Sequence, residues 1–156
     1  MLSKIDPIIT SLIPHRPPFL WVDRIISYED GIIITEKDIL NDLDIFKGHY
    51  PEHPILPGVI LCEALFQTGA LLIARMLQDT LESEEIKTPQ KSIPVLTRIG
   101  GARFKRPVGP GCTLQMQVNV KERLADSWFL KGIMRVKEKI AVQVDFSCTL
   151  TTALSQ

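Results

Sequence analysis

From Val59 to Ala74 run sixteen residues that are apolar or small except for Glu63, Gln67 and Thr68. No other stretch constrains the fold as strongly. Pro57 opens a helix there, expected to reach about Asp79, with nearly every side apolar. Such a helix cannot lie on a surface, so the rest of the chain must wrap it. Sixteen residues fall short of the roughly 20 that a membrane-spanning helix needs. A charge near the middle also opposes insertion. The run reads as a helix buried in protein.

The remainder supplies strands for the wrapping. Leu114, Met116, Val118 and Val120 alternate with polar residues, as do Ile140, Val142, Val144, Phe146, Cys148 and Leu150. Trp128, Leu130, Met134 and Val136 keep the same period of two. Each segment therefore has one apolar face, the mark of an antiparallel sheet covered on one side. Phe19–Tyr28 and Ile32–Ile39 read as two further strands around a Glu29-Asp30-Gly31 turn. Asp6-Pro7 starts a short helix that Pro14, Pro17 and Pro18 must end. Leu40–Leu56 is irregular, and Thr80–Gln90 reads as a solvated acidic loop. The expectation is one α+β domain over residues 1–156, a sheet of five or six strands curled around a single helix.

Charge narrows the partners. Eighteen Lys and Arg balance eighteen Asp and Glu, leaving no overall field to draw nucleic acid or a membrane surface. An electrostatic partner must then meet a local patch. Arg98, Arg103, Lys105 and Arg106 form one, with no acid between them. It reads either as a strand edge guarded by charge or as a dock for an acidic partner. Cys62, Cys112 and Cys148 are widely spaced and odd in number, which suits free thiols in a reducing cytoplasm. The amino terminus lacks the apolar stretch of a secretion signal.

Chemistry concentrates in Gly48-His49-Tyr50-Pro51-Glu52-His53-Pro54-Ile55-Leu56-Pro57-Gly58-Val59, which leads into the long helix. The three prolines stiffen the backbone around His49. Gly58 lies in the first helical turn, where N–H groups lack partners and the dipole is positive. Without a side chain, it lets a substrate oxygen approach those donors. Glu63 and Gln67 share one helix face, and a carboxylate there needs a partner. A histidine that titrates near neutrality and a half-buried carboxyl can divide base and acid roles. Removing the α-proton of a thioester builds charge on its carbonyl oxygen, which preorganised donors stabilise. Base, acid and helix N-terminus together suffice to eliminate water, with no metal or redox cofactor. His49 and His53 are four apart, but Pro51 opposes a helical pairing and no further ligand completes a metal site. His15 is expected to be structural, holding the proline-rich segment through a hydrogen bond.

The segment GHYPEHPILPGVILCEALFQTG, residues 48 to 69, resembles the core motif of the 3-hydroxyacyl-acyl-carrier-protein dehydratases of the FabZ type, which have the hot-dog fold. Leu12-Ile13-Pro14-His15-Arg16-Pro17-Pro18-Phe19-Leu20 with Val22-Asp23-Arg24 is similar to that family's amino-terminal motif, and Ala102 to Gly111 to its F-R-R-P-V-x-P-G-D. The likeness spans most of the chain, and its three motifs stand in the right order. The resemblance implies a central helix wrapped by an antiparallel sheet, dimers joined edge to edge, and trimers of such dimers. It implies that His49 of one subunit takes the α-proton while Glu63 of the other assists loss of the hydroxyl. It further implies that the Gly58-Val59 backbone polarises the carbonyl and that Gln67 orients Glu63. Phe46, Tyr50, Leu56 and Phe66 would then line the acyl tunnel. The substrate would be a (3R)-3-hydroxyacyl group on the phosphopantetheine of acyl carrier protein, docked at the cationic patch. No other cofactor is implied.

Glu52, His53, Tyr50, Leu56, Phe66 and Cys112 depart from the family pattern. The bulky Phe66 bears on chain length. Two alternatives follow, a hot-dog acyl thioesterase and a non-catalytic carrier-binding homologue. Against the first, hydrolysis makes no use of the His49 loop.

Overall fold

Asp6 accepts a hydrogen bond from the Ile8 N–H at 3.0 Å, and Pro7 follows it, so helix α1 (Pro7–Leu12) begins at a capped turn. The computed structural model describes residues 5–83 and 92–152. After α1 come β1 (Arg24–Glu29), β2 (Ile32–Ile39), a 3-10 turn (Asp44–Lys47), α2 (Gly58–Ser83), β3 (Ser92–Phe104), β4 (Cys112–Leu124), β5 (Ser127–Val136) and β6 (Lys139–Thr152). The strands make one six-stranded antiparallel sheet in the order β1-β2-β4-β5-β6-β3. Asp30 and Gly31 both take positive φ (50° and 72°), the geometry of a tight hairpin turn between β1 and β2.

Register aligns the apolar faces. Lys37, Thr35 and Ile33 stand opposite Leu114, Met116 and Val118. Met134, Leu130 and Trp128 stand opposite Val142, Phe146 and Cys148. These rows are buried and face α2, whose Leu65, Leu71, Leu72 and Ile73 have no exposed surface. Each such side chain contributes about 1.5–3 kcal/mol relative to exposure. Bulges in β1, β3, β4, β5 and their partners curl the sheet around the helix. The helix leaves no room for a side chain at Gly69, where an added Cβ would stand 2.7 Å from the Phe146 ring. The α+β architecture is that of a hot-dog fold, as expected.

Three readings of the sequence need correction. Phe19–Asp23 is not strand: β1 starts at Arg24, because Phe19 and Trp21 spend backbone groups on Gln67 of α2 instead of a neighbouring strand. The helix runs on through Thr80–Ser83, where Thr80 bonds back to the Met76 carbonyl and the turn before is tied to β1 by Tyr28 on Asp79. The rest of the proposed acidic loop lies outside the described residues. Finally, the 26-residue helix is long and apolar enough to span a membrane, unlike the 16-residue run, yet 67% of its most apolar window is buried inside the protein.

Candidate active site

The three motifs converge. The Leu56 N–H donates to the Val108 carbonyl at 2.7 Å, joining the His49 loop to the Ala102–Gly111 segment. Gln67 joins the helix to the amino-terminal motif. Its Oε1 accepts from the Trp21 N–H at 2.8 Å, and its Nε2 donates to the Phe19 carbonyl at 2.9 Å. A backbone N–H can only donate and a carbonyl only accept, so these partners fix which end of the buried amide is which. The second Nε2 hydrogen then goes to Glu63 Oε1, at 2.9 Å.

His49 is held through backbone. The 3-10 turn delivers it, with its N–H on the Ile45 carbonyl, and its own carbonyl accepts from Ile55 N–H at 3.1 Å. Ring Nδ1 lies 2.9 Å from the Ile55 carbonyl. A carbonyl offers no proton, so Nδ1 carries one, and in the neutral ring Nε2 keeps the free lone pair. The ring stacks on exposed Tyr50, centroids 4.2 Å apart. The His49–Tyr50 peptide is cis. His49 and Glu63 share no hydrogen bond or ion pair within one chain.

At the start of α2, Ile60 and Leu61 N–H donate to the Pro57 carbonyl, while those of Gly58 and Val59 find no acceptor among the described residues. The Phe104 ring of β3 fills the space a Cβ on Gly58 would need, 2.9 Å away. Val59 is 74% exposed. Of the proposed tunnel residues, Phe46, Leu56 and Phe66 are buried and Tyr50 is exposed; Phe66 packs on Phe146 with ring centroids 4.9 Å apart. Arg98 and Arg103 on β3, with Lys105 and Arg106 just beyond it, are exposed, and none has a carboxylate within 4.0 Å among the described residues.

Sequence reasoning misplaced His15. It makes no hydrogen bond that holds the proline-rich segment. Arg16 does that, bonding the carbonyls of Thr10, Ile13 and His15. His15 Nε2 instead lies 3.7 Å from Glu63 Oε1, and its Nδ1 is buried without a partner. Burial holds the His15 pKa below its ordinary value, with the Glu63 charge acting in the opposite sense and Arg16 reinforcing burial. Burial and the nearby Glu63 charge push the Cys148 thiol up to about 12, so it stays protonated and unreactive beside the site.

The FabA-like domain matches residues 13–145 of this chain. The 3-hydroxyacyl-[acyl-carrier-protein] dehydratase FabZ of Polaromonas naphthalenivorans is 39% identical over 145 residues, covering 92% of this chain and 95% of that protein. Its counterpart in Anaeromyxobacter dehalogenans is 38% identical over 143 residues, covering 91% and 87%. Among solved structures, the dehydratase heterocomplex ApeI:P from Xenorhabdus doucetiae shares the fold, with a TM-score of 0.74 over 93% of this chain and 91% of that one, at 14% identity. The chain belongs to the FabZ-type family of 3-hydroxyacyl-acyl-carrier-protein dehydratases.

Proposed function

We infer that the protein eliminates water from a (3R)-3-hydroxyacyl thioester carried on the phosphopantetheine of acyl carrier protein, giving the trans-2-enoyl thioester in fatty-acid or related acyl-chain synthesis. The observation that carries this reading is the orientation of two groups. His49 in its neutral form presents Nε2 as the base, and Glu63 presents Oε2 while Gln67 engages Oε1. His49 Nε2 takes the α-proton, and that C–H pair becomes the double bond. The Cβ–O bond breaks, and the hydroxyl leaves as water with the proton of Glu63. The Gly58 and Val59 N–H groups bear the charge that gathers on the carbonyl oxygen. Phe46, Tyr50, Leu56 and Phe66 bound the acyl chain.

We place the two halves of the site on different copies of the chain. The lack of a hydrogen bond or ion pair between them within one chain supports this, as does β3. That strand ends the sheet, and its free edge carries exposed Val95, Leu96, Ile99 and Phe104. An apolar edge of this kind suits pairing with a second copy. The free thiols and the buried central helix favour a cytoplasmic setting.

The test offers purified protein a 3-hydroxyacyl group on acyl carrier protein and, separately, on a short soluble thioester, with products followed by mass. Loss of one water with the thioester kept is expected from both. Release of free acid would instead mean a thioesterase. Binding without turnover would mean a carrier-binding homologue. Arg103→Glu is expected to raise KM for the carrier-bound substrate about tenfold and leave the short one unchanged. Equal effects on both would remove the docking role from the Arg98, Arg103, Lys105 and Arg106 patch.

A further inference from the structure

Glu63 has two oxygens, and an acid that protonates a leaving hydroxyl must carry its proton on the one the substrate meets. We propose that His15 is a positioning residue that, with Gln67, engages Oε1 of Glu63 through N–H donors and so reserves Oε2 for the transferable proton. The proposal rests on the dehydratase reading above and deepens it.

Three observations support it. First, His15 Nε2 stands 3.7 Å from the same oxygen that Gln67 reaches at 2.9 Å, so both donors crowd Oε1. At 3.7 Å the imidazole is poised, one small shift short of a hydrogen bond, as catalytic contacts often are before substrate binds.

Second, the side of the ring that faces Glu63 selects the tautomer. Nδ1 is buried with no partner. A proton there would be a buried donor left unmade, and would turn the Nε2 lone pair against the carboxylate. A proton on Nε2 leaves Nδ1 an unmet acceptor, but it removes that opposition and aims an N–H at Oε1. Burial favours the neutral ring, so the imidazole meets Glu63 as a dipolar donor.

Third, the segment carrying His15 is strapped down on either side. Before it, the Arg16 guanidinium gathers the carbonyls of Thr10, Ile13 and His15. After it, Phe19 and Trp21 dock on Gln67. The amide that orients Glu63 therefore also sets the distance of the imidazole.

The test compares full-length wild type, His15→Ala and His15→Gln in steady-state dehydration, with the ring tautomer of wild-type His15 read by nitrogen NMR. His15→Ala is expected to lower kcat about tenfold or more with KM within about twofold. Glutamine, whose side-chain amide can place an N–H near Oε1, is expected to recover most of that loss. NMR is expected to find the proton on Nε2. An unchanged kcat in folded His15→Ala, failure of glutamine to rescue a lowered kcat, or a proton on Nδ1 would each overturn the proposal. The tautomer decides even where His15→Ala fails to fold. Glu63→Gln separates the two levels: its inactivity alongside a fully active His15→Ala removes only the role of His15. Full activity in Glu63→Gln removes the dehydratase site as well, and this proposal with it.

Discussion

His49 and Glu63 are prepared by opposite means. His49 is held by backbone, with Nδ1 on the Ile55 carbonyl and the Ile55 N–H returning to the His49 carbonyl, in a loop whose Tyr50, Pro51, Glu52 and His53 are all exposed. Glu63 is held by a side chain, Gln67, with the His15 ring 3.7 Å from the same oxygen. The difference follows from their tasks. A base needs only its tautomer fixed, and a carbonyl on the other nitrogen does that. An acid must have one oxygen engaged and the other free, which takes directed N–H donors. Backbone support is indifferent to sequence, whereas side-chain support fails with one substitution. The two halves should therefore respond differently to mutation.

The largest effect tests whether the halves belong together at all. His49→Ala and Glu63→Gln are each expected to lower kcat by about a hundredfold or more, the scale for losing a general base or acid. Combined in one tube and reassembled, the two inactive variants are expected to regain roughly a quarter of wild-type activity, since half the dimers would each carry one intact site. No recovery in assemblies verified as mixed would mean that one chain contributes both residues.

A smaller effect tests how each half is held. Gln67→Ala strips Glu63 of its donor and leaves the Trp21 N–H and Phe19 carbonyl unmade. Of the two, the Trp21 N–H is buried, and orphaning it costs about 1–3 kcal/mol. Urea unfolding should register that loss, together with a fall in kcat of about tenfold. Ile55→Ala is the counterpart on the other side. It keeps the carbonyl that His49 uses, so kcat is expected to stay within about threefold. Equal damage from both would erase the distinction between backbone and side-chain support.

The same contrast explains what the sequence could and could not disclose. β4–β6 were legible because each buries alternate apolar residues, and burial writes a period of two into the chain, whereas β2, which buries Thr35 and Lys37, was read from the turn before it. β3 carries no such signature. It is largely exposed in one chain and mixes apolar Val95, Leu96 and Ile99 with cations, so only its charges drew notice. The His49 loop and Glu63 stood out because proline spacing and a carboxylate on an apolar helix are local features. His15 did not. Its relation to Glu63 spans 48 residues and depends on Gln67 reaching back to Phe19 and Trp21, which no local pattern encodes. The one trace of it was the His-Arg pair within the amino-terminal motif, where the arginine performs the structural task first assigned to its neighbour.

The smallest effect is one of pH, and it should belong to the Glu63 half. Burial lowers the folded-state pKa of His15 below 6.5, while the unfolded chain keeps the ordinary value. As pH falls through 6.5, the unfolded state therefore binds the proton first, and stability begins to decline. The decline continues until the folded-state pKa is passed and then levels off. Above 6.5 this contribution is fully present. The charged groups acting on the ring are Glu63, which favours protonation, and Arg16, which opposes it. Asp38 also loses stability on acidification, because its hydrogen bonds to Arg24 and Thr113 depress its pKa, but that loss falls below 3.8 and outside the window. Unfolding midpoints measured from about pH 8 to pH 5 should thus fall less steeply for His15→Gln than for wild type, with the two curves separating only below about 6.5. Curves that stay parallel throughout would mean that the imidazole beside Glu63 is not buried in its neutral form, and the asymmetry between the two halves would then rest on Gln67 alone.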